Sequence, residues 1–143
     1  MGNILDSGQS YALVVAPKAG GESTLAWKTA NTSDTGVDSL TNGLANSNAV
    51  NDASHPAAQF CRSLSIEGYT DWYLPAKNEL NVLYLNRSAG GSFNTTSAGY
   101  YYSSTEDASN RTYAWLQFFG DGTQLSDRKN GAALVRAVRR VAI

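Results

Sequence analysis

The segment Gly68-Tyr69-Thr70-Asp71-Trp72-Tyr73-Leu74-Pro75, read with Tyr101-Tyr102-Ser103-Ser104-Thr105-Glu106, constrains the fold more than any other part of this chain. Adjacent aromatics end an extended stretch and lead into a proline, which suits a helix's first turn because its missing N–H has no partner to lose there. A helix over 75–86 follows. Ala76, Leu80, Leu83 and Tyr84 form its inner stripe, and Lys77, Asn78, Asn81 and Arg87 face water. The second segment reads as an aromatic strand over 100–105 closed by a polar turn.

The remaining elements are spelled out less densely. Residues 11–17 form a buried strand stopped by Pro17 and the Gly20-Gly21 pair, and 25–28 a second short strand. Residues 31–52 read as a long ordered loop with a helical turn near 40–45, either functional or the cover of one core face. A helix over 56–65 opens on Pro56, is capped by Ser54 or His55, and buries Ala57, Phe60, Cys61 and Leu64 at i, i+3, i+4 and i+7. After Gly90-Gly91 the pattern becomes strand-like, with further strands over 113–119, 123–127 and 134–141 and a hairpin turn at Gly120-Asp121-Gly122. The strand 113–119 alternates Tyr113, Trp115, Gln117 and Phe119 with Ala114, Leu116 and Phe118, so it is either central or carries an exposed aromatic surface. The fold class is α+β: two helices flank a twisted antiparallel sheet, with paired N- and C-terminal strands and long loops.

Composition removes several function classes. At 143 residues the chain suits one domain over 1–143, with a core over about 11–141. A net charge of −1 and a pI near 5.7 argue against nucleic acid as a partner. The basic C-terminal stretch of Arg128, Lys129, Arg136, Arg139 and Arg140 is the local exception; Arg136, Arg139 and Arg140 either pair with Glu106, Asp107 or Asp71 or line a site for an anionic polysaccharide. Cys61 is the sole cysteine, which excludes an intrachain disulfide and disfavours a cysteine-based metal site. No apolar run approaches the roughly 20 residues of a membrane span. No basic leader or apolar h-region follows Met1-Gly2, so a soluble chain made in a cytoplasm is expected. His55 is the single histidine and is expected as a cap or an exposed residue. No phosphate loop and no paired carboxylates at acid–base spacing occur.

Taken in order, the segments 13–17, 27–30, 57–61, Asp71-Trp72-Tyr73-Leu74-Pro75, Glu79-Leu80, Tyr102-Ser103-Ser104-Thr105-Glu106, Ala114-Trp115 and Val135-Arg136-Ala137-Val138-Arg139 resemble a known family. It is the C-type-lectin-like domain found at the C-terminus of a bacterial collagen-like adhesin, at phage tail-fibre tips and in virion structural proteins. The resemblance implies a C-type-lectin-like fold, display on a virion or bacterial cell surface, often as a homotrimer, and adhesion to a host saccharide or protein receptor. It equally suits a structural virion component that meets other virion subunits. Within the motifs, Trp72, Leu74 and Tyr102 are expected in the core, and Asp71 and Glu106 to hold a turn or cap.

The chain also departs from relatives of that fold. Calcium-dependent sugar binders carry Glu-Pro-Asn or Gln-Pro-Asp beside Trp-Asn-Asp, and neither is present. A Ca²⁺ among Glu106, Asp107, Asp121 and Asp127 is the only candidate cation site, and no cofactor is expected. Formylglycine-generating oxidases on this fold need two active-site cysteines, so the chain is expected not to be an enzyme. The expected ligand face is built from the loops 97–101, 107–113 and 119–129. Its candidates are Tyr101, Asp107, Asn110, Arg111, Tyr113, Trp115, Phe119, Asp121, Gln124, Asp127 and Lys129. Aromatic rings offer sugars a flat apolar platform, and amides, carboxylates and cations supply directed bonds.

Overall fold

A computed structural model describes residues 1–143. Its elements are β1 (Asn3–Asp6), β2 (Gln9–Val15), a distorted turn α1 (Lys18–Gly21), β3 (Glu22–Ala26), α2 (Gly43–Ala49), α3 (Pro56–Arg62), α4 (Lys77–Leu85), a 3-10 turn (Arg87–Ala89), β4 (Tyr100–Glu106), β5 (Tyr113–Phe118), β6 (Gln124–Arg128), β7 (Ala132–Arg136) and β8 (Val138–Ala142). The strands form a three-stranded sheet, β1-β2-β8, and a five-stranded sheet, β3-β7-β4-β5-β6. The mixed α+β content is that of a C-type-lectin-like fold. The N-terminal strand pairs with the C-terminal one through β2 and β8, Val15 lying opposite Val138. No helix is long and apolar enough to cross a membrane.

Period-two alternation sorts the aromatic strands into two cores. Tyr102, Ala114, Leu116 and Val135 join Trp27, Trp72, Leu74 and the α3 residues Ala57, Ala58 and Cys61 in one cluster. Tyr101 and Phe119 join Ile4, Leu13, Tyr73, Leu80, Leu83 and Val138 in the other. The loop before α2 is core cover, since Val37 is fully buried and its carbonyl accepts the Glu106 N–H at 2.9 Å.

The expected strand over 134–141 is instead two strands. It breaks at Ala137, which leaves the ladder to bond Ala16 and Gly21 while β7 and β8 enter different sheets. The helix expected from Pro75 begins at Lys77. Ala76 is still extended (φ −68°, ψ 166°) and is the N-cap, and the segment before it is held between the two sheets. Tyr73 exchanges backbone hydrogen bonds with Val138 on one side, and the Pro75 carbonyl accepts from Ser104 N–H on the other. The aromatic–proline motif is thus a bridge joining two sheets. β1 escaped the sequence reading, and the helical turn expected near 40–45 is α2 at Gly43–Ala49.

Candidate functional site

The β5–β6 hairpin sets the geometry of the expected ligand face. Its turn closes on Gly122 at φ +88°, a conformation that favours glycine, and Asp121 Oδ1 accepts the Thr123 N–H at 2.9 Å. Register then pairs Tyr113 with Arg128, Ala114 with Asp127, Trp115 with Ser126, Leu116 with Leu125 and Gln117 with Gln124. Directly opposed residues share a face, so Tyr113, Trp115, Gln124, Ser126 and Arg128 lie on one side of the hairpin. Asp127 lies on the other with Ala114, Leu116 and Leu125. β6 is an edge strand of its sheet.

On the first side, Tyr113 and Trp115 are half-buried. The Lys77 ammonium, from the start of α4, sits 3.6 Å from the Trp115 ring centroid, a cation–π contact that holds the indole against the sheet. Gln124 reaches the same helix end, its side-chain amide donating to the Lys77 carbonyl at 3.1 Å. From the sequence Lys77 reads only as water-facing, Arg128 only as part of the basic C-terminal stretch, and Ser126 only as one residue of the 119–129 loop. Hairpin register is the signal that finds the last two, because it assigns them the side already held by Tyr113 and Trp115.

The remaining candidates are distributed by the sheet. Tyr101 and Phe119 are fully buried. The Tyr101 hydroxyl donates to Glu22 at 2.8 Å and accepts the Asn94 N–H at 2.9 Å, while Phe119 packs among Phe93, Tyr84 and Tyr101. Both expectations of ligand contact are therefore corrected: these rings face the inner core. Asp107 is also buried, and accepts from Ser109 and from the Ser126 hydroxyl at 2.7 Å. Asn110 Oδ1 holds the next turn by accepting from Thr112 at 2.7 Å. Arg111 is exposed beside them and donates to Asp38 at 2.9 Å and Glu106 at 2.6 Å.

Lys129 is the largest correction, since its ammonium is fully buried. It donates to Glu106 at 2.6 Å, the Thr32 carbonyl at 2.9 Å and Asp34 at 3.0 Å, over the ring of Trp27. Asp34 also accepts from Lys28 at 3.0 Å and meets His55 Nε2 at 2.9 Å, while His55 Nδ1 lies 2.6 Å from Asp52. His55 stands at the N-cap of α3 as expected and its carbonyl accepts the Gln59 N–H at 3.0 Å, but its ring caps nothing and is not exposed: it is a buried tie between loop carboxylates. Burial alone would raise Asp34, yet the hydrogen bonds from Lys28 and Lys129 hold it below the ordinary carboxylate value. Asp52 is lowered chiefly by its hydrogen bond to His55.

The candidate calcium shell does not assemble. Glu106 is committed to Lys129 and Arg111, Asp107 to serines, Asp121 to the hairpin tip and Asp127 to the opposite face. No group of three or more His, Cys, Asp or Glu residues is placed to hold a metal ion. Burial pushes the Cys61 thiol well up, so it is a core side chain with no thiolate character. Of the C-terminal arginines, Arg139 pairs with Asp71 as expected, whereas Arg136 pairs with Glu22 and Arg140 with Asp6.

Among curated proteins none matches the chain. The family model of the Lcl C-terminal domain matches residues 21–139, from β3 through the second core to β8. With its paired termini, bridging aromatic motif and edge hairpin, the chain belongs to this C-type-lectin-like family of the collagen-like adhesin and phage type.

Proposed function

We propose that this domain is a non-enzymatic receptor-binding module, carried at a phage tail-fibre tip and engaging a host-surface saccharide or protein through the β5–β6 face. The observation that carries the reading is the pair Tyr113 and Trp115, held half-exposed on an edge hairpin and bordered by Gln124, Ser126, Arg128 and Lys77. Rigid aromatic area with hydrogen-bonding groups of both senses around it is what a contact surface needs. Arg111 and Asn110 extend the same end of β5. Several copies, as in a homotrimer, would multiply a weak single site.

The test is binding of the purified domain to host cells before and after periodate oxidation of their glycans. Loss after oxidation identifies a saccharide receptor, and survival a protein one. The double variant Tyr113→Ala/Trp115→Ala should lower binding at least tenfold. A variant that binds like the parent would move the contact surface elsewhere.

One observation favours a structural virion role instead. The outer face of the three-stranded sheet exposes Leu5 (62%), Val14 (37%), Val141 (40%) and Ile143 (65%), a surface suited to contact between subunits. Absence of host-cell binding together with self-association in sedimentation would put that role first.

A further inference from the structure

The other side of the β5–β6 hairpin borders an open groove of about 690 Å³, within the range of ligand sites. Leu116, Leu125 and Ala133 contribute apolar surface, and Tyr100 lines it with a ring stacked on Phe118 at 4.6 Å between centroids. Asp127 is the only charged residue along it. Asp127 Oδ1 accepts the backbone N–H of Arg128 at 2.7 Å, and Oδ2 has no partner. No lysine, arginine or histidine of the chain forms an ion pair with it, although Arg128 and Lys129 follow directly in sequence. Strand alternation sends Arg128 to the Tyr113 side, and Lys129 turns into the core. The groove therefore carries an uncompensated negative charge beside apolar and aromatic surface. Its charge also reaches the Tyr102 hydroxyl, which burial first and Asp127 second push up to about 12.

We propose that this groove receives a basic side chain, arginine above all, from a partner protein. An apolar stem lying on Leu116 and Leu125 with a cationic head at Asp127 matches the way long basic side chains divide between apolar surface and charge. A guanidinium also stacks on an aromatic ring and forks onto a carboxylate, which an ammonium does less well. Charge complementarity excludes anionic ligands. A neutral sugar fits less well, because its hydroxyls leave the charge of Asp127, which pairs with no cation of the chain, uncompensated. The site lies on the opposite face of the hairpin from Tyr113 and Trp115, so it stands or falls independently of the contact surface proposed above.

The test is a titration of isotope-labelled domain, followed by amide NMR, with N-acetyl-arginine amide, its neutral isostere N-acetyl-citrulline amide, and methyl α-glucoside. Saturating shifts at Leu116, Leu125 and Ala133 are expected with the arginine probe. Binding should be at least tenfold weaker with citrulline, and at least tenfold weaker in Asp127→Asn. Asp127 is exposed, so the variant should keep the parent's spectrum elsewhere. Equal binding of arginine and citrulline probes, an unaffected Asp127→Asn, saturation by the glucoside instead, or no shift with any probe would each overturn the proposal. Trp115→Ala should leave the arginine titration unchanged.

Discussion

At Lys129 a full positive charge is held without solvent, and what makes it tolerable is the oxygen shell that Glu106, Asp34 and Thr32 close around it. Lys129 and Glu106 both have side chains at 0% exposure, so neither can fall back on water if the other is removed. Replacing one member of a buried pair costs far more than the pair contributes, roughly 3–5 kcal/mol. Lys129→Met should therefore lower unfolding free energy by about that amount in denaturant melts, and adding Glu106→Gln should restore part of it. A double variant no more stable than the single one would show that Arg111, which also donates to Glu106 at 2.6 Å, already satisfies the carboxylate once Lys129 is gone. Asp34, in the same shell, contributes to the pH dependence, alongside the likewise lowered Asp52, Asp71, Asp107 and Asp121. Its folded-state value lies below the ordinary 3.8, so its contribution is present above that pH and is lost as pH falls below it. Acid unfolding followed by circular dichroism should accordingly be shallower in Asp34→Asn than in the parent.

Between elements, one carboxylate does most of the joining at the start of α4. Glu79 is fully buried and accepts the N–H groups of Gly43 at 2.8 Å and Ala76 at 3.0 Å and the Tyr73 hydroxyl at 2.5 Å. It thereby ties the N-termini of two helices to the inter-sheet bridge. A Cβ on Gly43 would stand 2.5 Å from the Leu74 carbonyl oxygen, which is why α2 starts on glycine. Glu79→Ala would strand three buried donors, and at about 1–3 kcal/mol for each unmet group it should cost at least about 3 kcal/mol. The urea midpoint should fall at unchanged slope. None of this capping was legible from the motif alone, because Glu79-Leu80 says nothing about which loop will bring its N–H groups near. The helices and the hairpin were legible, since their signals are local: apolar spacing, Pro56 and Gly120-Asp121-Gly122. The break at Ala137 was not, because Leu134 to Val141 has no glycine or proline and the switch between sheets is imposed by Ala16 and Gly21 from the far end of the chain. The candidate face was half legible for the same reason. Alternation along β5 could be read, but the sides taken by Gln124 and Asp127 follow from pairing register, and the burial of Tyr101, Phe119 and Lys129 from tertiary packing.

For the whole molecule, the proposed adhesive role raises the question of how so small a contact surface would hold a particle to a cell. Tyr113 and Trp115 with their polar border offer much less than the roughly 800 Å² per partner of a standard stable interface, so one domain should bind weakly and release quickly. Copies displayed together convert later binding events into intramolecular ones, which raises avidity by about 10²–10⁴ without any new contact. The proposed adhesive role thus predicts a specific dependence on valency. The domain fused to a trimeric coiled coil should bind host cells at least 100-fold more tightly than the single domain, as measured by the concentration for half-saturation. The gain should appear mainly as slower release, since each contact is unchanged. Trp115→Ala should weaken the trimer by more than the monomer, because every site loses the same increment and the losses compound. A trimer that binds no better than the single domain would exclude multivalent adhesion through this face. The exposed Leu5, Val14, Val141 and Ile143 surface of the other sheet would then become the place to look for the molecule's partner.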